Sequence, residues 1–404
     1  MATKSVIVSG LLSNTANGTV DLTSPGFGAI DAAIIITSYA NSTTNPQTHA
    51  HITAGFWDGV NSTQASANAF SANGDATTNT KRNRSTTYAI SQHSAVESDV
   101  TYTTQNTVTA VTDGIRITTT FDNTGVQRYV TAILINGATD VHLGSQNLGT
   151  GTSAVDITAP GFKPSLVFIT TVGNNTTIGG SQNIFSVGVA HNDSTDTVTQ
   201  GYVAMYSVDN LSTSVTGSYI SNSNTVGQVY NDSVSWEASA GSFDASGFSL
   251  TPSASTGSDI VDYLAIELAD PDDAWVDVIT AATSTGNDAT TGVGFQPDIV
   301  GLFAPLTTTL DSVTQTGSLH AGVSDGTTDN AYSVTDEDNV ATTATSSAHY
   351  ANNIIVLVDD DGTQNAAATL NSLDSDGFTL NYSDAASSAW QMLAFAIGDS
   401  GAAG

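Results

Sequence analysis

The sequence predicts an all-β protein of three tandem antiparallel β-sandwich or jelly-roll units, each of roughly 130 residues. Two observations carry this. Short runs of β-branched and aromatic residues are broken by Gly, Asn, Asp and Ser turns, with no sustained helical period or helix caps. A set of landmarks also recurs three times, in one order and at one spacing. A chain of 404 residues is in any case long for a single core.

The first landmark is Gly26-Phe27, Gly161-Phe162 and Gly294-Phe295, spaced 135 and 133 residues apart. Each precedes a strand-like run: Ala32 to Ile36, Leu166 to Ile169 and Ile299 to Phe303. Pro164 and Pro297 stand ahead of the last two, where a missing donor costs no ladder bond. The second landmark is Gly55, Gly188 and Gly322, at spacings of 133 and 134. The third is Asp113-Gly114, Ser246-Gly247 and Asp376-Gly377, a turn dipeptide followed by alternation of period two. Closing strands follow at Tyr129 to Ile135, Tyr263 to Ile266 and Met392 to Ala396. The units are therefore expected at 1–137, 138–270 and 271–404. We expect beads on a string, hinged at Asn136-Gly137 and Asp270-Pro271-Asp272, with residues 138–404 soluble without the first unit.

Composition removes several function classes. Seven Lys and Arg against 38 Asp and Glu give a net charge of −31, which repels phosphate backbones and anionic membranes. Nucleic-acid binding and membrane insertion are not expected, and the longest apolar runs are strand-sized. With no cysteine there is no disulfide, thiolate metal site or Cys nucleophile. The charge is uneven: residues 1–163 hold all seven bases and ten acids, whereas residues 164–404 hold 28 acids and no base. This predicts a salty working medium, an attaching first unit and an acidic, projecting remainder.

Few residues offer chemistry. Lys81-Arg82-Asn83-Arg84 is the one basic cluster, and Lys81, Arg82 and Arg84 are candidates for docking on an acidic particle surface; a solvated loop is the plain alternative. Asp270, Asp272 and Asp273 at the second junction, or Asp359-Asp360-Asp361-Gly362, supply hard oxygens for Ca²⁺, although neither has the spacing of a known calcium loop. Trp57, beside an Asp-Gly turn, and Trp275, beside the second junction, are candidates for stacking on sugar rings, while Trp236 and Trp390 read as core. His49-Ala50-His51 sets two imidazoles on one strand face, but no third metal ligand is visible. A nucleophile elbow and a phosphate-cradling loop are absent, so no catalytic residue is assigned and no cofactor is expected beyond that Ca²⁺.

Gly-Phe-x-Pro before an apolar strand, Ser318 to Gly326 in mid-unit, and Leu373 to Tyr382 before a closing Leu-Ala strand together resemble a β-sandwich module of tailed-phage virion proteins. The composition looks like that of haloarchaeal proteins, so the fuller resemblance is to a tailed virus of a haloarchaeon. It covers units two and three well; in unit one Ala29 replaces the Pro and Ile115 the Phe. The resemblance implies a non-enzymatic protein of the virion surface, assembled in the host cytoplasm as a symmetric homo-oligomer with other capsid or tail proteins as partners. Capsid decoration or a turret spike is the first expectation, and a tail fibre binding host-surface glycan the second. A cellular surface-layer subunit and a glycan hydrolase follow.

Overall fold

The computed structural model describes residues 3–40, 46–93, 102–123, 125–173, 180–399 and 401. They form antiparallel strands and a single 3₁₀ turn, Pro271–Asp273; no described helix is long and apolar enough to cross a membrane. The strands group into three pairs of sheets that repeat one topology along the chain.

In the first pair, the large sheet runs Lys4–Leu11, Tyr129–Asn136, Ala32–Ser38, Ala50–Asp58, Thr63–Ser71 and Thr80–Ser85 in spatial order. The small sheet facing it runs Thr19–Thr23, Gly114–Asp122, Tyr102–Val111 and Ile90–His93. The second repeat gives Asp140–Asn147, Ile260–Glu267, Leu166–Thr171, Asn183–Asn192, Val198–Ser207 and Thr216–Ser221, over a small sheet from Val155–Ile157 to Val226–Tyr230. The third gives Ala274–Thr280, Gln391–Asp399, Gln296–Ala304, Gly317–Ser324, Asp329–Asp336 and Thr345–Ala351, over a small sheet from Gly286–Thr291 to Ile355–Val358.

The repeated landmarks have physical causes. A Cβ on Gly55, Gly188 or Gly322 would lie 2.0, 1.7 or 1.5 Å from the carbonyl oxygen of Ala89, Thr225 or Ile354, where the large sheet presses on the small one. Only glycine permits that approach. Gly26, Gly161 and Gly294 have φ of 83°, 76° and 91°. The first and third landmarks also touch each other. Asp113 accepts from the N–H groups of Gly26 and Gly28 at 2.9 Å, Asp376 from Gly294 at 2.8 Å, and the Ser246 carbonyl from Gly161 at 2.9 Å.

Each large sheet is buried on both faces, and the apolar runs divide their side chains by alternation. Ala33 and Ile35 enter the core between their own two sheets, as do Val167 and Ile169, and Val300 and Leu302. Ala32, Ile34 and Ile36 point the other way, with Leu166, Phe168, Ile299 and Phe303, into one core shared by all three repeats. There Phe168 of the second repeat meets Phe395 of the third edge-on, with ring centres 5.2 Å apart.

The repeats are therefore not beads on a string. The large sheets turn inward around a common axis and the small sheets outward. Both expected hinges are pinned. Asp31 Oδ2 accepts from Gly137 and Ala138 N–H at 2.7 and 3.1 Å, and Asn136 Nδ2 donates to the carbonyl of Phe27 at 3.2 Å. At the second junction His191 Nε2 bonds the Pro271 carbonyl at 2.8 Å, and Asp272 accepts from Ser194 N and Oγ at 3.0 and 2.7 Å.

The contacts close a ring. The loop following the third strand of each repeat lies on the outer edge of the preceding repeat's large sheet. Gly180–Ser181 pairs with Thr80–Ser85, Gln47–Thr48 with Thr345–Ala351, and Thr314 bridges to Ser218. Equivalent threonines repeat the cycle: Thr80 Oγ1 donates to the Ser207 carbonyl (3.2 Å), Thr216 Oγ1 to that of Asp336 (2.9 Å) and Thr345 Oγ1 to that of Ser71 (3.1 Å). A third cycle joins the neighbouring hairpin loops, where Thr78 Oγ1, Ser214 Oγ and Thr343 Oγ1 accept from the N–H of Leu211, Val340 and Asp75 at 2.8, 3.0 and 2.9 Å.

The ring overturns the expected independence of residues 138–404. Removing residues 1–137 uncovers the inward faces of two large sheets, an apolar surface far beyond what soluble monomers tolerate. We expect that fragment to aggregate or self-associate, and the full chain to unfold in one cooperative transition by calorimetry. A monomeric, folded 138–404 fragment in sedimentation would contradict the shared core.

Candidate functional site

The basic cluster lies on the edge strand Thr80–Ser85, which faces the second repeat rather than solvent. Arg84 makes a bidentate pair with Asp262, Nε to Oδ2 at 2.5 Å and Nη2 to Oδ1 at 2.6 Å, and its side chain is only 10% exposed. Ser145 Oγ donates to the same carboxylate at 2.6 Å. Burial pushes the Asp262 carboxyl up, while the hydrogen bond and charge of Arg84 hold it down. Lys81 stands 3.9 Å from Asp209 of the second repeat. Burial lowers the pKa of Arg82, and the charge of Asp259 opposes that. Docking of Lys81, Arg82 and Arg84 on another particle component is corrected accordingly: the cluster holds the first two repeats together.

The acids of the second junction are also spent locally. Asp270 caps the 3₁₀ turn by accepting from Asp272 N–H at 3.0 Å, Asp272 holds Ser194, and Asp273 is buried. Two of these carboxylates are bound to different partners and the third is buried, and no group of three metal-ligating side chains occurs among the described residues. Asp359 to Gly362 form a turn, with Gly362 N–H on the Asp359 carbonyl at 2.9 Å and Asn365 Nδ2 on Asp359 Oδ1 at 2.6 Å.

The two tryptophan candidates part ways. Trp57 is 1% exposed inside the first sandwich, because alternation along Ala50–Asp58 turns it toward the small sheet; it is unavailable for sugar stacking. Trp275 is half-buried, packs edge-on against Phe378 and lines an open groove of about 430 Å³ between the second and third repeats, with His191, Asp193, Thr199 and Asp272. Trp236 is core, its Nε1 donating to Gln228 at 3.0 Å and Asp259 at 2.6 Å.

His49, His51, His320 and His349 serve structure. His49 sits ahead of the strand at φ 81°, with Nδ1 accepting from Asn73 N–H at 3.0 Å, and His51 Nε2 lies 2.6 Å from Asn68 Nδ2. His320 clips its repeat together: its Nδ1 is 3.0 Å from the Ala304 carbonyl and its Nε2 accepts from Val358 N–H at 2.9 Å. His349 stacks on Tyr129 of the first repeat, ring centres 4.2 Å apart, and bonds Asn330 Oδ1 at 2.9 Å. Burial pulls both His320 and His349 down to about 4.

No protein-family model matches this chain, and neither a curated protein nor a solved structure matches it.

Two predictions follow from these buried groups. Arg84→Ala leaves Asp262 buried without its counter-charge and should cost about 3–5 kcal/mol in urea unfolding; a loss within a few tenths would show the pair to be solvated. His349 is neutral when folded but protonates near 6.5 when unfolded, so its contribution is present above that pH and is lost as pH falls toward 4. Between neutrality and pH 4.5 the wild type should lose about 2–3 kcal/mol more than His349→Gln, measured by urea midpoints. Equal losses would contradict burial of the imidazole.

Proposed function

We propose that this protein is a non-enzymatic structural component of a virion surface, a capsid decoration or turret spike of a tailed virus, seated through its first repeat. One observation carries the reading. Leu11, Val60 and Phe121, the exposed large hydrophobic side chains among the described residues, all belong to the first repeat. That repeat, residues 1–137, is also the least charged, with eight acids and six bases, whereas residues 164–404 carry only acids. Apolar, near-neutral surface joins a partner at small desolvation cost, and an acidic remainder resists self-association; Leu11 and Phe121 lie at one end of the first sandwich and Val60 at the other. With the basic cluster committed inside the ring, attachment rests on apolar contact.

The test is incorporation into particles. Val60→Asp and Phe121→Asp alter exposed positions, so the full chain should fold as before while its incorporation, read by quantitative gel, drops several-fold. A loss in one variant alone identifies the seated end, and unchanged incorporation of both rejects seating through these side chains. A decoration should be present at on the order of sixty or more copies, as shell symmetry requires.

The tail-fibre reading is favoured by the groove at Trp275, which sets an aromatic face beside the carboxylates of Asp193 and Asp272. Under it, copies are few and confined to the tail, and Trp275→Ala abolishes binding to host-envelope glycan.

A further inference from the structure

The three inner strands Thr63–Ser71, Val198–Ser207 and Asp329–Asp336 end at equivalent positions, and the ring brings their last residues together. Two are serines, Ser71 and Ser207, and the third is Asp336; each is 1% exposed. Asn183, also 1% exposed, pairs across the ladder with Ser207 and reaches into the first repeat, its Nδ2 donating to Ser71 Oγ at 3.1 Å. The surrounding backbone is already paired by the threonine cycle, since Thr345 Oγ1 holds the Ser71 carbonyl, Thr80 Oγ1 that of Ser207 and Thr216 Oγ1 that of Asp336. Three of the side-chain oxygens are not. Asp336 Oδ2, Ser207 Oγ and Asn183 Oδ1 are buried without a hydrogen-bond partner among the described residues. The hydroxyls of Ser71 and Ser207 lie near enough to the Asp336 carboxyl to favour its ionised form, yet Ser207 Oγ completes no bond of ordinary geometry.

We propose that Asp336, Asn183, Ser71 and Ser207 form a binding site for a monovalent cation, Na⁺ or K⁺, at the junction of the three repeats. The junction offers hard oxygens from three repeats: one carboxylate with the Ser71 and Ser207 hydroxyls near it, and one amide carbonyl on the side chain that bonds Ser71. That donor set supplies a single negative charge. It suits a monovalent ion, whereas Ca²⁺ takes six to eight oxygens and several carboxylates. An ionised carboxylate sealed in a protein interior costs several kcal/mol unless something positive neutralises it. The charged groups bearing on Asp336 are Asp338 and Asp360, both of which add negative potential. Burial pushes the Asp336 carboxyl up to about 7. A proton therefore neutralises it in acid, and the cation takes that place at alkaline pH. The serines at the two equivalent positions show that the shared core accepts a neutral residue there, so the aspartate is a local departure from the threefold pattern.

The test is thermal unfolding of the full chain at alkaline pH. NaCl or KCl is exchanged for choline chloride at constant total salt, so that screening of the acidic surface stays fixed. The expected result is a melting temperature that rises by roughly 2 °C per tenfold increase in Na⁺ or K⁺. Asp336→Ser, which installs the residue present at the other two positions, should abolish the difference between small cation and choline. An Na⁺ arm stronger than the K⁺ arm, or the reverse, identifies the preferred ion. Choline as effective as both would overturn the proposal, leaving the carboxyl protonated or bonded to the Asn183 amide. Persistence of the difference in Asp336→Ser would overturn it too, by placing the ion elsewhere. Should that variant fail to fold, a Tl⁺ soak of wild-type crystals decides: an anomalous peak within ligand distance of Asp336 supports the site, and its absence rejects it.

Discussion

Closure of the three large sheets around one axis is the constraint on which the rest of the molecule depends. A sheet buried on both faces needs apolar side chains at successive positions, and its free edge needs a partner. Here each sheet obtains its second apolar face from the other two, and its edge is covered by the loop of its neighbour. Neither need is met by a repeat standing alone. The cyclic hydrogen bonds of Thr80, Thr216 and Thr345 then tie each strand end to the next repeat, so that core, edges and loops form one cooperative body.

That constraint explains how an acidic chain without disulfides holds together. Carboxylates without basic partners are tolerable on outward sheets and loops, where water and salt screen them. Inside, some buried acids are matched by bases, Asp262 by Arg84 and Asp122 by Arg128, which also lies over the Tyr39 ring, while Asp58 is held by neutral donors, Asn61 and the Leu143 N–H. The few bases sit where they hold repeats or loops together. Asp336 stands apart, an acid at the meeting point of three repeats with acids rather than bases around it.

Much of the fold was legible in the sequence because its landmarks answer to local physics. A glycine under a crossing carbonyl and a glycine at the second position of a turn leave the same residue in every copy, whatever surrounds them. The arrangement of the copies was harder to see. Ala32 to Ile36 is apolar at every position rather than at alternate ones, and this continuity, more than its length, is the mark of a strand covered twice. The candidate residues mislead for a related reason. Lys81 to Arg84 looked free because Asp262 and Asp209 lie more than a hundred residues away along the chain. Trp57 looked exposed because the turn beside it is. Ser71, Ser207 and Asp336 carry no signal until the ring superposes them.

A homotrimer of such sandwiches would show three identical faces to its surroundings, and any change made for one contact would be copied to all three. Joining the repeats in a single chain removes that degeneracy. The inward sheets must stay mutually compatible, but each outward sheet is free to diverge, and its bearing relative to the other two is set by covalent order rather than by chance association. One rigid body can thus carry three different outward surfaces in a ratio that no assembly error can alter.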